Sequence, residues 1–284
     1  MFDIHRLKCV DVTLFSDVDV QKRVYHQGFL IDDSIYSLGG VNRDGQVLNE
    51  FINVNIKTKK SSHQAIKGNV PKLMCAAIAP VFYLSKMGSE GQLNLKSIAG
   101  EINWGEALDL IKYEGFYMFG GKNEQGETLD SLYVIDVKEN RQHGNVEFSI
   151  FKPKMKGKAP PARHSHTIDY VPRLGIVVIY GGRDDSNAAA PILSDIWIIT
   201  LHNMEYKEVQ IGGFVLPIPR CSHASYINGT QLIISGGLGD GFKYLKDIQK
   251  IELDQSSVNK ENPILNRLGA HVLHNQEDIK EVQK

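Results

Sequence analysis

Two histidines, His164 and His166, stand one residue apart, and on an extended strand both imidazoles would leave one face and can chelate a metal ion. His271 and His274 are three apart and fall on opposite faces of a strand, a weaker pair. Gly236-Gly237-Leu238-Gly239-Asp240-Gly241 has the glycine density of a phosphate-cradling loop. Such a loop has to open a helix whose amides meet the anion, whereas Phe242-Lys243-Tyr244-Leu245-Lys246-Asp247 leads into a strand. The segment reads as a turn. Lys152-Pro153-Lys154-Met155-Lys156-Gly157-Lys158 concentrates basic charge; as a loop it is solvated, and as a contact it would meet an acidic surface with salt-sensitive affinity. No nucleophile elbow, zinc-protease helix or locally signed carboxylate pair stands out.

What must position these residues is a repeat. Ser34-Ile35-Tyr36-Ser37-Leu38, Phe116-Tyr117-Met118-Phe119, Ile176-Val177-Val178-Ile179-Tyr180 and Leu232-Ile233-Ile234-Ser235 each run into a glycine doublet: Gly39-Gly40, Gly120-Gly121, Gly181-Gly182 and Gly236-Gly237. Runs this short and this rich in branched and aromatic residues are buried strands. The doublets mark a sharp turn or a close approach where a Cβ would clash. Beyond each doublet follows a second strand with acidic punctuation, as in Leu129-Asp130-Ser131-Leu132-Tyr133-Val134-Ile135-Asp136 and Leu193-Ser194-Asp195-Ile196-Trp197-Ile198-Ile199-Thr200. Before three doublets stands Arg-x-x-His: Arg23 with His26, Arg163 with His166, Arg220 with His223. Lys72-Leu73-Met74-Cys75 takes that place in the second copy, with Cys75 for the histidine.

This order of elements resembles the kelch repeat, over roughly residues 1–255. The resemblance implies an all-β fold, a β-propeller of four-stranded blades of about 50 residues each. It also makes His26, His166 and His223 structural residues, buried and hydrogen-bonded between blades, so that only His164 is surplus. Ile52 and Gln249 depart from the pattern, standing where an aromatic is usual.

Four full blades are expected, at about 23–68, 71–155, 160–212 and 218–262, within one domain spanning 1–275. Phe2-Asp3-Ile4 aligns with Ile135-Asp136-Val137, and Val10 to Phe15 aligns with Val146 to Phe151, so residues 1–20 read as the third and fourth strands of a half-blade. Pro263 to Val272 reads as a degenerate first strand that meets it. The expected ring has five to six blades, and either it closes on itself or another chain completes it. The second doublet follows the first by 81 residues, against 61 and 55 for the next two intervals, which places an insertion at 85–112. Leu93, Leu95 and Trp104 in that insertion have no blade to fill and join Lys154 and Lys156 as candidate partner contacts. Residues 276–284 read as a solvated tail.

Lys+Arg 32 against Asp+Glu 33 gives a net charge of −1, which provides no global field for nucleic acid or anionic lipid. Three cysteines, Cys9, Cys75 and Cys221, make no disulfide framework. With no signal peptide or membrane span visible, a cytoplasmic protein is expected. No metal or cofactor is expected. Copper-radical oxidases of similar fold need two His, two Tyr and a Tyr-linked Cys, a set that nothing here marks. Kelch adaptors for ubiquitin ligases carry a BTB or F-box region, for which these 284 residues have no expected room. The resemblance thus implies a non-catalytic protein-interaction scaffold, and by fold-level analogy a structural subunit of a larger, cytoskeletal or ciliary, assembly. The alternative is a small-molecule or sugar-acting enzyme using the central funnel.

Overall fold

Each run that ends in a glycine doublet is a strand, and each is flanked by strands on both sides, because only a sheet can satisfy the amides of such short apolar segments. The structure is a computed structural model that describes residues 22–83, 111–140, 145–189, 191–209, 211–212, 217–254 and 269–273, with 2–3, 8–9 and 15–16 near the start. In chain order the strands are β1 (Phe2–Asp3), β2 (Lys8–Cys9), β3 (Phe15–Ser16), β4 (Arg23–Val24), β5 (Gln27–Ile31), β6 (Ser34–Leu38), β7 (Val41–Asn42), β8 (Phe51–Asn55) and β9 (Lys60–His63). Then come β10 (Ile66–Lys67), β11 (Ala77–Val81), β12 (Gly115–Phe119), β13 (Leu132–Asn140), β14 (Asn145–Phe151), β15 (Thr167–Val171), β16 (Ile176–Tyr180), β17 (Ile196–Thr200) and β18 (Glu205–Glu208). The last are β19 (Ile211–Gly212), β20 (Ala224–Asn228), β21 (Gln231–Ser235), β22 (Ile248–Asp254) and β23 (Gly269–Leu273). No helix among the described residues is long and apolar enough to cross a membrane.

The strands form four antiparallel blades: β5-β6-β8-β9, β11-β12-β13-β14, β15-β16-β17-β18 and β20-β21-β22-β23. The first strands of successive blades pack side by side, β5 against β11, β11 against β15 and β15 against β20, so they form the inner wall of a propeller. A second regularity lies at the rim. The segment leading into each blade pairs in parallel with that blade's outermost strand: β3 with β9, β10 with β14, Lys156 with Glu205, and β19 with β23.

Side chains alternate across a strand, so every blade has a leading face toward the blade before it and a trailing face toward the blade after it. Tyr36, Leu38 and Phe51 on the first trailing face meet Phe116, Met118 and Ile135 on the second leading face. Tyr117, Phe119 and Val134 meet Ile179, Trp197 and Ile199 in the same way. Val178, Tyr180 and Ile196 meet Leu232, Ile234 and Ile251. At about 1.5–3 kcal/mol for each side chain fully buried, these three cores outweigh the exposed ion pairs of the rim, which are worth about 0–1 kcal/mol each. Among the described residues no fourth core joins the last blade to the first.

Three details of the sequence reading change. Gly269–Leu273 is the fourth strand of the last blade, antiparallel to β22, and not a first strand that completes the N-terminal half-blade. Ile251 and Leu253 already present an unfinished blade to it, so the nearest edge captures the segment. Phe2–Asp3 pairs with Lys8–Cys9 rather than with Val10 to Phe15, and Phe15–Ser16 is taken by the rim of the first blade. The second copy is also out of register by one residue. Cys75 carries φ 56°, matching Tyr25, Ser165 and Ser222 at 60°, 53° and 53°, so Ala76 and not Cys75 holds the place of the histidine. Leu73 accordingly holds the place of the arginine: its carbonyl accepts from Gly40 N–H as that of Arg163 does from Gly121. The expected insertion falls almost wholly on residues 84–110 and the tail on 276–284, both outside the described residues.

The doublets are demanded by approach as well as by turn. Gly120 has φ 65°, and a Cβ there would sit 2.3 Å from the carbonyl oxygen of Arg163 in the next blade. Gly120→Ala should therefore lower unfolding free energy by at least about 2 kcal/mol, read by urea denaturation. The same change at the loop glycine Gly126, whose Cβ would meet nothing within 4 Å, should cost less despite its φ of 80°.

Candidate functional site

Three repeats bury an arginine at the blade junction. The side chains of Arg163 and Arg220 are 0% exposed. Arg163 donates from Nη1 and Nη2 to the two carboxylate oxygens of Asp195, at 2.8 and 2.7 Å, and from Nη1 to the Gly181 carbonyl at 3.0 Å. Arg220 treats Asp247 and Gly236 alike, and Arg23 treats Glu50 and Gly39 alike with one carboxylate oxygen. Bidentate geometry supplies the partner that a buried guanidinium requires. The second blade has neither half of the pair: Leu73 stands for the arginine and Ser131 for the acid. These carboxylates were missed in the sequence reading. Their signal was an acidic residue two positions after the conserved-phase leucine, present wherever the arginine is and absent where it is not.

Two residues beyond each of these positions, the chain turns through the left-handed region and links the blades. Cys75 N–H donates to the Tyr25 carbonyl at 3.0 Å, Ser165 to Cys75 at 3.0 Å, and Ser222 to Ser165 at 2.7 Å. This relay of backbone amides runs around the inner wall. Among the described residues, Tyr25 N–H donates to none and the Ser222 carbonyl accepts from none, so the relay has two open ends.

The turn at Ser165 also separates the two histidines. His164 is not on a strand with His166; its Nε2 lies 3.3 Å from Asp185 Oδ2, and Asp185 is held from Lys122 at 2.6 Å and Arg183 at 2.6 Å. His164 is not aligned for a hydrogen bond there, and burial lowers its pKa against the pull of Asp185. His166 turns inward, edge-on to Phe119 at 5.6 Å. Burial and the Arg163 charge hold its pKa well below the ordinary histidine value, which leaves it neutral. The expected buried hydrogen bond forms at His223, whose Nε2 lies 3.0 Å from Thr167 Oγ1. It does not form at His166, both of whose ring nitrogens lack partners, nor at His26, which is exposed because no blade precedes it among the described residues.

The remaining candidates separate as follows. Lys154 and Lys156 are exposed on the linker into the third blade, where the Lys156 backbone is bonded to Met204 and Tyr206. Leu93, Leu95 and Trp104 lie outside the described residues, as does His274. His271 sits in β23 opposite Glu252. The glycine-rich segment from Gly236 is a turn closed by a short 3-10 element at Asp240–Phe242. Gln249 fills the aromatic position of the last blade with both amide atoms buried and unpartnered.

Among the described residues, exposed apolar side chains stand on both end faces of the blade array. On the last trailing face Tyr226 is 66% and Ile248 50% exposed. Phe51, Leu132 and Ile196, at the place of Ile248 in the other blades, are 4%, 4% and 0% exposed. Ser235 occupies the place of Leu38, Phe119 and Tyr180, and Lys250 that of Val134 and Ile198. On the first leading face Ile35 is exposed, with Val24 and Tyr25 beside it.

Comparison with known proteins agrees with this geometry. A family model described as the KLHDC2/KLHL20/DRC7 Kelch-repeats domain matches residues 107–267, more than half of the chain. The chain belongs to this kelch-repeat family. Host cell factor of Drosophila melanogaster is 29% identical over 136 residues, 44% of this chain and 8% of that protein. Adagio-like protein 1 of Oryza sativa subsp. japonica is 26% identical over 140 residues, 48% and 20% of the two chains. An F-box/kelch-repeat protein of Arabidopsis thaliana is 27% identical over 136 residues, 45% and 26%. The chain thus spans about a quarter or less of the length of these curated relatives. In fold it is similar to a chain of the RAG complex solved by cryo-EM with one melted and one unmelted RSS, with a TM-score of 0.61 and 17% identity, covering 92% of this kelch chain and 71% of that one.

The junction of the third and fourth blades carries a polar seam with a readable pH dependence. Burial pushes Asp169 up from 3.8 to about 6, against the pull of the Ser225 hydroxyl that donates to it at 2.5 Å. A carboxyl raised on folding contributes stability below pH 3.8 that is lost as pH rises through 6. Burial and then Arg220 push His223 down from 6.5 to about 4, so its contribution is whole above pH 6.5 and lost as pH falls toward 4. The two oppose each other in the same window. Asp169→Asn should stabilise the kelch domain at pH 7.5 by on the order of 1–2 kcal/mol, an advantage that disappears by about pH 4 in urea unfolding.

Proposed function

We propose that this kelch chain is a non-catalytic protein-interaction scaffold, a structural subunit of a larger assembly, and that a partner protein seats on the trailing face of its last blade. The observation that carries the reading is Ile248, half-exposed where the equivalent residues of the other three blades are buried. The second strands of the middle blades, β12 and β16, are buried and apolar along their whole length. The last trailing face instead mixes Tyr226, Ile233 and Ile248 with Ser235, Lys250 and Glu252. Such a mixture of an aromatic anchor, aliphatic side chains and charges of both signs is the composition of a separable protein interface. The partner's surface would present an apolar pocket for Tyr226 flanked by groups that pair with Lys250 and Glu252. The rigid blades behind the face keep the entropic cost of binding low. A cytoplasmic setting, cytoskeletal or ciliary, follows from the fold by analogy.

Tyr226→Lys with Ile248→Lys should leave thermal unfolding unchanged within about 0.5 kcal/mol, because both residues are exposed, and should abolish the partner captured by the wild-type chain. Capture is compared by quantitative mass spectrometry after cross-linking; equal recovery would remove this face from the proposal. Leu93, Leu95, Trp104, Lys154 and Lys156 remain a second candidate contact. Deletion of residues 86–110, which spares the buried Ile111, should leave the blades folded and reduce capture if the insertion contributes.

A further inference from the structure

Strand register lays the trailing face of the last blade out as a grid. In the row nearest the glycine doublet, Ala224 of β20, Ser235 of β21 and Ile248 of β22 stand abreast. The next row is Tyr226, Ile233 and Lys250, and the last is Asn228, Gln231 and Glu252. None of these residues is buried, and the β20 residues Ala224, Tyr226 and Asn228 are all exposed. The Thr230 hydroxyl donates to Glu252 Oε1 at 2.6 Å and holds that carboxylate at the end of its row.

The columns on either side of β21 are complementary. Row by row, β20 offers a small side chain, an aromatic ring and a carboxamide, while β22 offers a large aliphatic, a cation and a carboxylate. Between them β21 carries Ser235, Ile233 and Gln231, each of which packs acceptably against its own kind. A two-fold axis along β21 exchanges β20 of one copy with β22 of the other. It sets Ala224 against Ile248, the Tyr226 ring against the Lys250 ammonium and stem, and the Asn228 amide against the Glu252 carboxylate. Other arrangements of two copies waste these groups. A two-fold axis across the strands, through the middle row, faces Lys250 with Lys250. A head-to-tail stack sets Lys250 and Glu252 against the leading face of the first blade. There the β5, β6 and β8 side chains, Leu30, Ile35, Ile52 and Val54 among them, include no charge to pair with them.

We infer that the trailing face of the last blade is a self-complementary docking surface, on which a second copy of this chain packs about a two-fold axis running along β21. The inference rests on the protein-interaction reading above and names the partner of that face. Tyr226 of each copy meets Ile233, Ile248 and the Lys250 stem of the other, which together are the apolar pocket that reading requires. The two sheets lie face to face with aligned strands, about 10 Å apart, in the manner of a β-sandwich. One blade face is small against the about 800 Å² per partner of a standard interface, so the dimer is a weak and reversible one.

The test is sedimentation velocity of the full chain from about 5 µM to about 500 µM, which should show a reversible monomer–dimer equilibrium. Position 228 decides the arrangement, because it is exposed and lies opposite Glu252 only when the axis follows β21. Asn228→Lys should tighten the dimer and Asn228→Glu weaken it, each by about threefold or more, since the axis repeats the contact. The double variant Asn228→Glu with Glu252→Lys should regain the wild-type affinity, a rescue that a folding defect would not give. A chain that stays monomeric throughout would overturn the inference. So would a shift in the same direction for Asn228→Lys and Asn228→Glu, or association that grows past the dimer, as a head-to-tail stack does. A monomer whose capture of other proteins is lost in the Tyr226 and Ile248 variant leaves the scaffold reading standing without this inference. A dimer with the stated charge dependence, beside capture of other proteins that is indifferent to that variant, does the reverse.

Discussion

Around the inner wall, the amide of one left-handed residue donates to the carbonyl of its counterpart in the blade before, from Cys75 to Tyr25, Ser165 to Cys75 and Ser222 to Ser165. Each of these residues is non-glycine at positive φ, a conformation that is costly unless its surroundings fix it. The surroundings do. At Tyr25, Ser165 and Ser222 one side is clamped by the buried arginine and its carboxylate, and at all four, Cys75 included, the other is met by a glycine doublet that approaches within less than a Cβ's width. Relay and doublet are therefore one device repeated by blade, with the clamp added in the first, third and fourth, and the blade cores lie outward from it. Among the described residues the relay ends at the Tyr25 amide and the Ser222 carbonyl.

The junctions are not equivalent in chemistry. Between the first and second blades aromatic rings dominate, with Phe29 stacked on Phe116 at 3.8 Å between centroids. Between the third and fourth, Thr167 and Asp169 face His223 and Ser225, and Gln249 lies buried without a partner for its amide. Polar groups in an apolar junction lower its contribution relative to an isosteric apolar one. The last blade is thus the more weakly held of the array, and it is the blade that carries the mixed, uncovered face.

Much of the fold was legible because its determinants are local. Four doublets in phase, each preceded by an apolar run such as Ile176 to Tyr180, leave little besides a blade. The register of the second copy was not legible from the Arg-x-x-His pattern, because Leu73 and Ala76 replace both marker residues and only φ at Cys75 restores the alignment. The assignment of Gly269–Leu273 failed for a different reason: an outer strand needs only one side to be apolar, so its sequence is weak, and pairing is decided by which edge is unfinished. The end faces were beyond reach, since exposure of Ile248 depends on what packs beside it in the fold and not on its own neighbours in sequence.

The parallel pairing at the rim has a consequence for the order in which the chain can settle. The first residues to enter a blade, Ile66–Lys67 for the second, wait for the last strand of that blade, Asn145–Phe151, before they find their partner. Phe15–Ser16 waits likewise for Lys60–His63, and Ile211–Gly212 for Gly269–Leu273. Each blade is thereby a loop tied at its own two ends, and no blade is complete until its final strand has been synthesised. Closing such long loops raises contact order and slows folding, so nascent blades expose their inner strands for the whole interval. During that interval the unfinished edge is an unpaired strand edge of the kind that aggregates or swaps strands.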